Sequence, residues 1–394
     1  MDIHARNQFN SGFTEEKYQN LKSGFFKEFH IEIPFRIAET PVFLTHEFKN
    51  LLVKAGEEVL ETLFQKELLD YSLKAIPPAC FVPGEMGNPN FLALDFGICA
   101  DENGNPFPQL IEFQGFPSLF AFQSQLGKAY SKIFQIDPSW TPYFNGLTEK
   151  TYSEELKKSI LGKFSPQEVI LLELDPWNQA TSIDFAITQK LTGIKTVDLR
   201  NIVMEKNSLY YFSEGIKTPV KRIYNRVIFD ELSRKGFNPE YNLTQEAEVE
   251  WAVHPNWFFR FSKFLLPKMV SRFIPPSHYL NEWKDYPENL DQYVLKPLFS
   301  FSGEGVLFHI KKQDLDQIKD KENYILQKKV SYLPLIASPE GGVKAEIRLL
   351  YLWDNQRQKP KLMTNLCRLS RGDMIGVKFN KEKTWVGGSI ALFK

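Results

Sequence analysis

The chemistry most legible in this chain gathers around Lys296. Tyr293-Val294-Leu295-Lys296-Pro297 reads as a strand bearing one lysine, and it leads into a loop carrying Ser300, Ser302, Gly303 and Gly305. Glycines let backbone N–H groups approach an anion closely, and a lysine at the root of such a loop adds a fixed positive charge. Val306 to Ile310 is apolar and predicts a return strand. The strand–loop–helix setting of a Walker A loop or a Rossmann turn is therefore missing. A lysine strand, a small-residue loop and a return strand describe a flap folded over a nucleotide. An ordinary hairpin with a polar tip has the same pattern.

A second group of candidates lies upstream. Phe91 to Phe116 reads as two strands around Asp101-Glu102-Asn103-Gly104-Asn105, and Asn-Gly predicts a type I′ hairpin turn. Counting outward from that turn places Asp95 opposite Glu112, with Gln114 on the same face because strand side chains alternate. Like charges directly opposite one another destabilise a hairpin. A divalent cation turns that cost into a gain, and clustered side-chain oxygens suit Mg²⁺, which also takes phosphate oxygens. Pro106 and Pro108 cannot donate ladder hydrogen bonds, so the ladder near the turn is expected to be irregular. A solvated acidic face is the alternative, but Glu112 stands between apolar Ile111 and Phe113, where an idle carboxylate is unusual.

The elements that must position these residues have ample chain to draw on. The 394 residues suffice for two or three domains with sizeable cores. Forty-eight basic side chains balance 48 acidic ones, so no global field draws the chain to nucleic acid or to an anionic membrane. Any anion site must be local. The 34 phenylalanines imply thick aromatic cores. Cys80, Cys99 and Cys367 are few and unpatterned, which fits a reducing compartment. The N-terminus lacks a signal-peptide core, and no apolar run approaches the ~20 residues that span a bilayer. The expectation is a cytoplasmic protein.

Phe48, Leu51, Leu52, Leu60, Phe64 and Leu68 predict one long amphipathic helix, ended by Ile76-Pro77-Pro78. Val169 to Leu174 has the continuous apolar character of a buried parallel strand. A helix over Thr181–Leu191 and further strands at 196–199 and 221–224 make a small βαβ-type region without GxGxxG. A helix over Gln313–Lys319 and a strand at Tyr324–Gln327 follow the flap. The last sixty residues predict strands at Glu346–Tyr351, Lys361–Leu369 and Trp385–Phe393. Asp175, Gln179 and Thr181 follow the first parallel strand, where ligands collect in open α/β sheets; Thr181 equally suits a helix N-cap. Arg348, Arg368 and Arg371 could hold a phosphoryl group bidentately, Arg348 and Arg368 being preferred. Glu346 is a lesser candidate for a ribose or second-metal contact. The six histidines form no metal pattern.

Taken together, Asp95, Glu112-x-Gln114 and a later lysine strand with a Ser/Gly loop resemble the ATP-grasp superfamily. The metal residues precede the lysine flap, an order that resembles the circularly permuted ATP-grasp proteins related to the synthetase domain of glutathionylspermidine synthase. The resemblance implies an α+β ATP-grasp fold with a small α/β pre-ATP-grasp-like domain. The implied division is 1–165 for the first part of the core with the metal hairpin and 166–255 for the small α/β domain. Residues 256–335 would form the ATP lid with its flap, and 336–394 the strands that complete the core. It implies metal ligation by Asp95, Glu112 and Gln114, with Gln114 replacing the more usual Asn. It implies phosphate contacts from Lys263 and Lys296, and a hinge strand at 324–330 where Gln327 or Lys328 lines the adenine pocket. ATP and Mg²⁺ are the implied cofactors.

The activity implied is ligation of a small-molecule carboxylate to an amine through an acyl phosphate, with no nucleic-acid or membrane partner. Ala93 stands two residues before Asp95 where that synthetase has an arginine, which puts the carboxylate substrate in question. A kinase on the same fold and a non-catalytic nucleotide-binding module are the alternatives.

Overall fold

A computed structural model describes residues 1–229, 232, 241–300, 303–354, 357–372, 375, 380 and 382–394. At its centre is a six-stranded antiparallel sheet built from two stretches far apart in sequence. Its main order is Gly387–Ser389, Lys361–Ser370, Gly341–Leu352, Phe91–Ala100, Pro106–Gln114, and Ile336–Ser338 pairs with Gly341–Leu352. Phe91–Ala100 lies in the middle and is buried along nearly its whole length.

Asp95 faces Glu112 as the outward count gives, but from Phe96 to Ala100 the pairing runs one residue off that count. Two details differ. Asn103 does not take a left-handed conformation, so the turn is not type I′; Asp101 instead accepts hydrogen bonds from the amides of Asn103 (2.9 Å) and Asn105 (2.7 Å). Pro106 and Pro108 pair with Ala100 and Ile98 on the edge strand, where a missing N–H is tolerated. A register shift between Asp95 and Phe96 then restores the counted pairing.

The expected single helix is two, His46–Leu63 and Lys66–Ser72, with the break at Phe64 and Gln65. Thr45 caps the first by accepting from the Phe48 amide at 3.3 Å. The expected Trp385–Phe393 strand is also two pieces. Gly387–Ser389 joins the central sheet, and Ala391–Leu392 pairs in parallel with Val42–Phe43.

A separate four-stranded parallel sheet has the order Glu250–Trp251, Arg222–Asn225, Val169–Glu173, Lys195–Asp198. Its crossover helix, Ser182–Thr192, closes on Gly193. A three-stranded antiparallel sheet, Ser277–Tyr279, Tyr324–Lys328, Tyr293–Pro297, carries the lysine strand. It has a small core of its own from Leu280, Leu295, Ile310, Leu315 and Leu326. The short helix beside it is Lys312–Asp316.

The return strand expected at 306–310 is absent. Leu307 alone bridges to Leu295, through two backbone bonds of 3.0 Å. The chain is still turning there: Gly305 has φ +70°, and a Cβ on it would lie 2.7 Å from the Pro297 ring. Among the described residues, no helix is long and apolar enough to cross a membrane.

Candidate functional site

Pleating and register together put five charged residues on one face of the central sheet. Asp95 is the ladder partner of both Arg348 and Glu112, and Glu346 is the partner of Arg368. Residues two apart on a strand share a face, so Glu346 and Arg348 point the same way. Lys296 and Gln327 reach toward them from the smaller sheet, where Val294 pairs with Gln327 and Lys296 with Ile325. Lys263 arrives from a 3₁₀ turn, Lys263–Lys268, capped by Ser262.

The contacts form one network. Arg348 donates through Nε to Asp95 Oδ1 and through Nη2 to Oδ2 at 2.6 Å, a bidentate pair. Arg368 also donates to Oδ2 of Asp95 and lies 2.9 Å from Glu346 Oε2. Lys263 donates to the Ser300 carbonyl at 2.9 Å and stands 3.5 Å from Glu112. Lys296 donates to the Ile111 carbonyl at 3.0 Å and to the Gln327 side-chain oxygen. Gln114 donates to Glu112 at 3.0 Å, and Arg348 lies 3.8 Å from that same oxygen. Tyr332 donates to Glu346.

Four cations, Lys263, Lys296, Arg348 and Arg368, thus face three carboxylates, Asp95, Glu112 and Glu346. Burial pushes the Glu112 carboxyl up, but Lys263, Arg368, Arg348 and Lys296 together outweigh it and bring it to about 2. Burial lowers Lys296 to about 8, partly opposed by Glu112. Burial raises Glu346 despite Arg368 beside it. The cost of opposing Asp95 to Glu112 is therefore met by the protein's own cations, which revises the argument that such a pair needs a metal.

The network also leaves polar atoms over. The Gln327 Nε2, the Ser300 Oγ and the Arg368 Nε are buried without hydrogen-bond partners. Unpaired buried donors beside an excess positive charge suit an anion with several oxygens, and phosphates fit that description. For a metal the fit is partial. Both Asp95 oxygens are engaged by guanidinium groups. Glu112 is only loosely contacted, and an amide rotation would turn the Gln114 oxygen toward the same space. Among the described residues, no group of three His, Cys, Asp or Glu side chains is arranged to hold a metal by itself. Mg²⁺ commonly takes one or two carboxylates and draws its other ligands from water and phosphate.

Of the residues expected from sequence, Asp95, Glu112, Gln114, Lys263, Lys296, Gln327, Arg348 and Arg368 converge here, with the Ser300 backbone. Gly303 and Gly305 lie in the turn beyond the lysine strand. Lys328 does not converge: it alternates to the other face of its strand and is exposed. Ser302 lies outside the described residues. Arg371 pairs with Glu340 instead. Asp175, Gln179 and Thr181 lie in the connection between Val169–Glu173 and the crossover helix; Thr181 holds the N-cap position without a side-chain capping bond and accepts from Arg226 at 3.5 Å.

Tyr332 was missed, and nothing in its sequence neighbourhood marks it. Its place depends on Gly97, since a Cβ there would lie 2.7 Å from the Tyr332 ring.

No protein-family model matches this chain, and no curated protein matches it. Solved structures do. The fold is similar to that of a glutathione synthetase like-effector (GSS30) from Globodera pallida in its apo form, at TM-score 0.59 and 12% identity. The match covers 90% of this chain and 93% of that one. The mixed α+β architecture described above is thus a glutathione synthetase-like fold along nearly its whole length.

Proposed function

We propose that this chain is an ATP-grasp protein of circularly permuted order that uses ATP and Mg²⁺ to join a small-molecule carboxylate to an amine. The observation that carries the reading is the cluster of four cations and three carboxylates between two antiparallel sheets, with buried donors left unpaired. The likeness to a glutathione synthetase like-effector supports it at the level of architecture.

In this reading Lys263, Lys296 and the turn containing Gly303 and Gly305 receive the phosphates, and Gln327 borders the nucleotide. Glu112 and Gln114 would hold Mg²⁺, which when bound neutralises phosphate charge. Asp95 fixes Arg348 and Arg368 toward the phosphoryl group. Ala93 supplies no guanidinium, but Arg348 reaches the same sheet face from the neighbouring strand. Transfer of the terminal phosphoryl group to the carboxylate, followed by attack of the amine, releases amide, ADP and phosphate. The chain contributes positioning and charge neutralisation.

A second reading, a nucleotide-binding module that performs no ligation, is favoured by the full engagement of Asp95. Melting temperature measured with ADP or a non-hydrolysable ATP analogue, with and without Mg²⁺, tests the nucleotide site. Ligand at about 100-fold its dissociation constant adds about 2.7 kcal/mol of stability. Phosphate release that requires both an acid and an amine supports the ligase; phosphoester formed without amine indicates a kinase. Nucleotide binding with neither product leaves the module, and no shift with either nucleotide overturns the site.

A further inference from the structure

The central strand Phe91–Ala100 changes partner at Gly97. Up to that residue its neighbour is Gly341–Leu352, with Glu346 opposite Gly97 as the outermost pair. Beyond it Cys99 bridges to Tyr332, the Leu333 amide donates to the Ile98 carbonyl at 3.0 Å, and the Ala100 amide donates to the Ser331 carbonyl at 3.0 Å. Residues 331–333 belong to the connection that leaves the lysine-bearing sheet after Tyr324–Lys328 and enters the central sheet at Ile336–Ser338. They form the seam between the two sheets that bound the charged cluster. Gln327, which accepts from Lys296, lies just upstream of it.

Tyr332 joins that seam to the cluster. The missing Cβ of Gly97 admits its ring, and its hydroxyl donates to Glu346 Oε1. Glu346 Oε2 is left for Arg368, at 2.9 Å. Arg368 meets both Asp95 and Glu346 through the same Nη2. It is also the more open of the two arginines: its side chain is 30% exposed, that of Arg348 8%. A carboxylate with both oxygens free takes a guanidinium group bidentately. Here the Tyr332 hydroxyl occupies one oxygen, so Glu346 holds Arg368 by one contact and leaves the open end of the guanidinium for a ligand.

We propose that Tyr332 is a positioning residue, a role that rests on the nucleotide reading above: by occupying one oxygen of Glu346 it keeps Arg368 turned toward the terminal phosphoryl group of a bound nucleoside triphosphate. Without the hydroxyl, Glu346 takes Arg368 with both oxygens and draws it off the ligand. Because Tyr332 sits on the seam, the same bond ties the aim of Arg368 to the seating of the lysine-bearing sheet.

Isothermal titration of the full chain with ADP and with a non-hydrolysable ATP analogue, both with Mg²⁺, tests it. Tyr332→Phe should weaken the analogue roughly tenfold, the scale of one hydrogen bond to a charged group, and ADP by less than about twofold. In an Arg368→Gln background the same change should have no further effect on the analogue, because the two residues act through one contact. A merely structural tyrosine lowers the unfolding midpoint and leaves the ratio of the two affinities unchanged. Circular dichroism identifies a variant that fails to fold. Gly97→Ala, which displaces the Tyr332 ring, should reproduce the selective loss and carries the test if Tyr332→Phe does not fold. An unchanged ratio in a folded variant, an equal loss for both nucleotides, or a further loss in the Arg368→Gln background overturns the proposal alone. A wild-type chain that binds neither nucleotide overturns the nucleotide reading and the proposal together.

Discussion

Arg348 grips both oxygens of Asp95 from the neighbouring strand, at the ladder position where Asp95 also faces Glu112 on its other side. Asp95 is 1% exposed and Arg348 7%. A buried carboxylate held this way is a bracket for guanidinium groups. Removing its charge strands Arg348 and part of Arg368 in a dry setting. Asp95→Asn should cost about 3–5 kcal/mol of stability, as breaking buried pairs does, measured by urea unfolding. It should weaken ADP binding by the same factor with and without Mg²⁺. A loss confined to the Mg²⁺-dependent part would make Asp95 a metal ligand after all.

Glu112 is the complementary case. Glu112→Gln should retain most ADP affinity without metal and lose the extra affinity that Mg²⁺ confers; an identical Mg²⁺ effect in both proteins refutes the metal role. The same substitution has an acid signature. The folded carboxyl lies at about 2, below its ordinary value of 4.5, so its contribution to stability is present above pH 4.5 and is lost as pH falls toward 2. Acid unfolding of Glu112→Gln should lack that component.

Lys296 sets a pH limit at the other end. Burial holds its ammonium near 8, so the free site loses a positive charge as pH rises through that value. Bound phosphate raises the value, and nucleotide affinity should therefore decline above pH 8 until the complex also deprotonates. Lys296→Arg should flatten this profile. Lys296→Ala should weaken ADP by roughly 30-fold or more at pH 7 with the fold intact. Unchanged affinity in folded Lys296→Ala would remove the lysine from the site.

Tyr332 and Gly97 form a structural couple whose removal should be felt at Glu346. Tyr332→Phe deletes a donor to a buried carboxylate and should cost about 1–3 kcal/mol. Gly97→Ala should cost at least as much, because its Cβ displaces the Tyr332 ring. A double mutant no worse than the more damaging single would show that the two act through one contact.

What the sequence made legible was whatever depends on local rules. Counting outward from Asn103-Gly104 placed Asp95 across from Glu112, although the turn sets Phe96–Ala100 one residue off that count and the bulge beside Asp95 restores it. The parallel strand at Val169–Glu173 announced itself by unbroken apolar character. Pairings across distance were not legible. Nothing near Asp95 says that Arg348, 253 residues on, is its partner. The misread return strand at 306–310 has a similar origin: of those apolar residues Ile310 fills the small core and Leu307 makes one bridge while staying exposed, which apolarity alone does not distinguish from strand pairing.

That small core has a kinetic consequence. Leu280, Leu295, Ile310, Leu315 and Leu326 form a cluster apart from the main one, so the lysine-bearing sheet has its own modest hydrophobic stake in staying folded. Such units open at lower free energy than the whole molecule. Amide protons of Leu295 and Lys296 should exchange with deuterated solvent well before those of Leu94 and Leu349 in the central sheet. A ligand bridging Lys296 to Arg348 would tie the breathing unit to the rigid one, and the difference in exchange lifetimes should shrink when it binds.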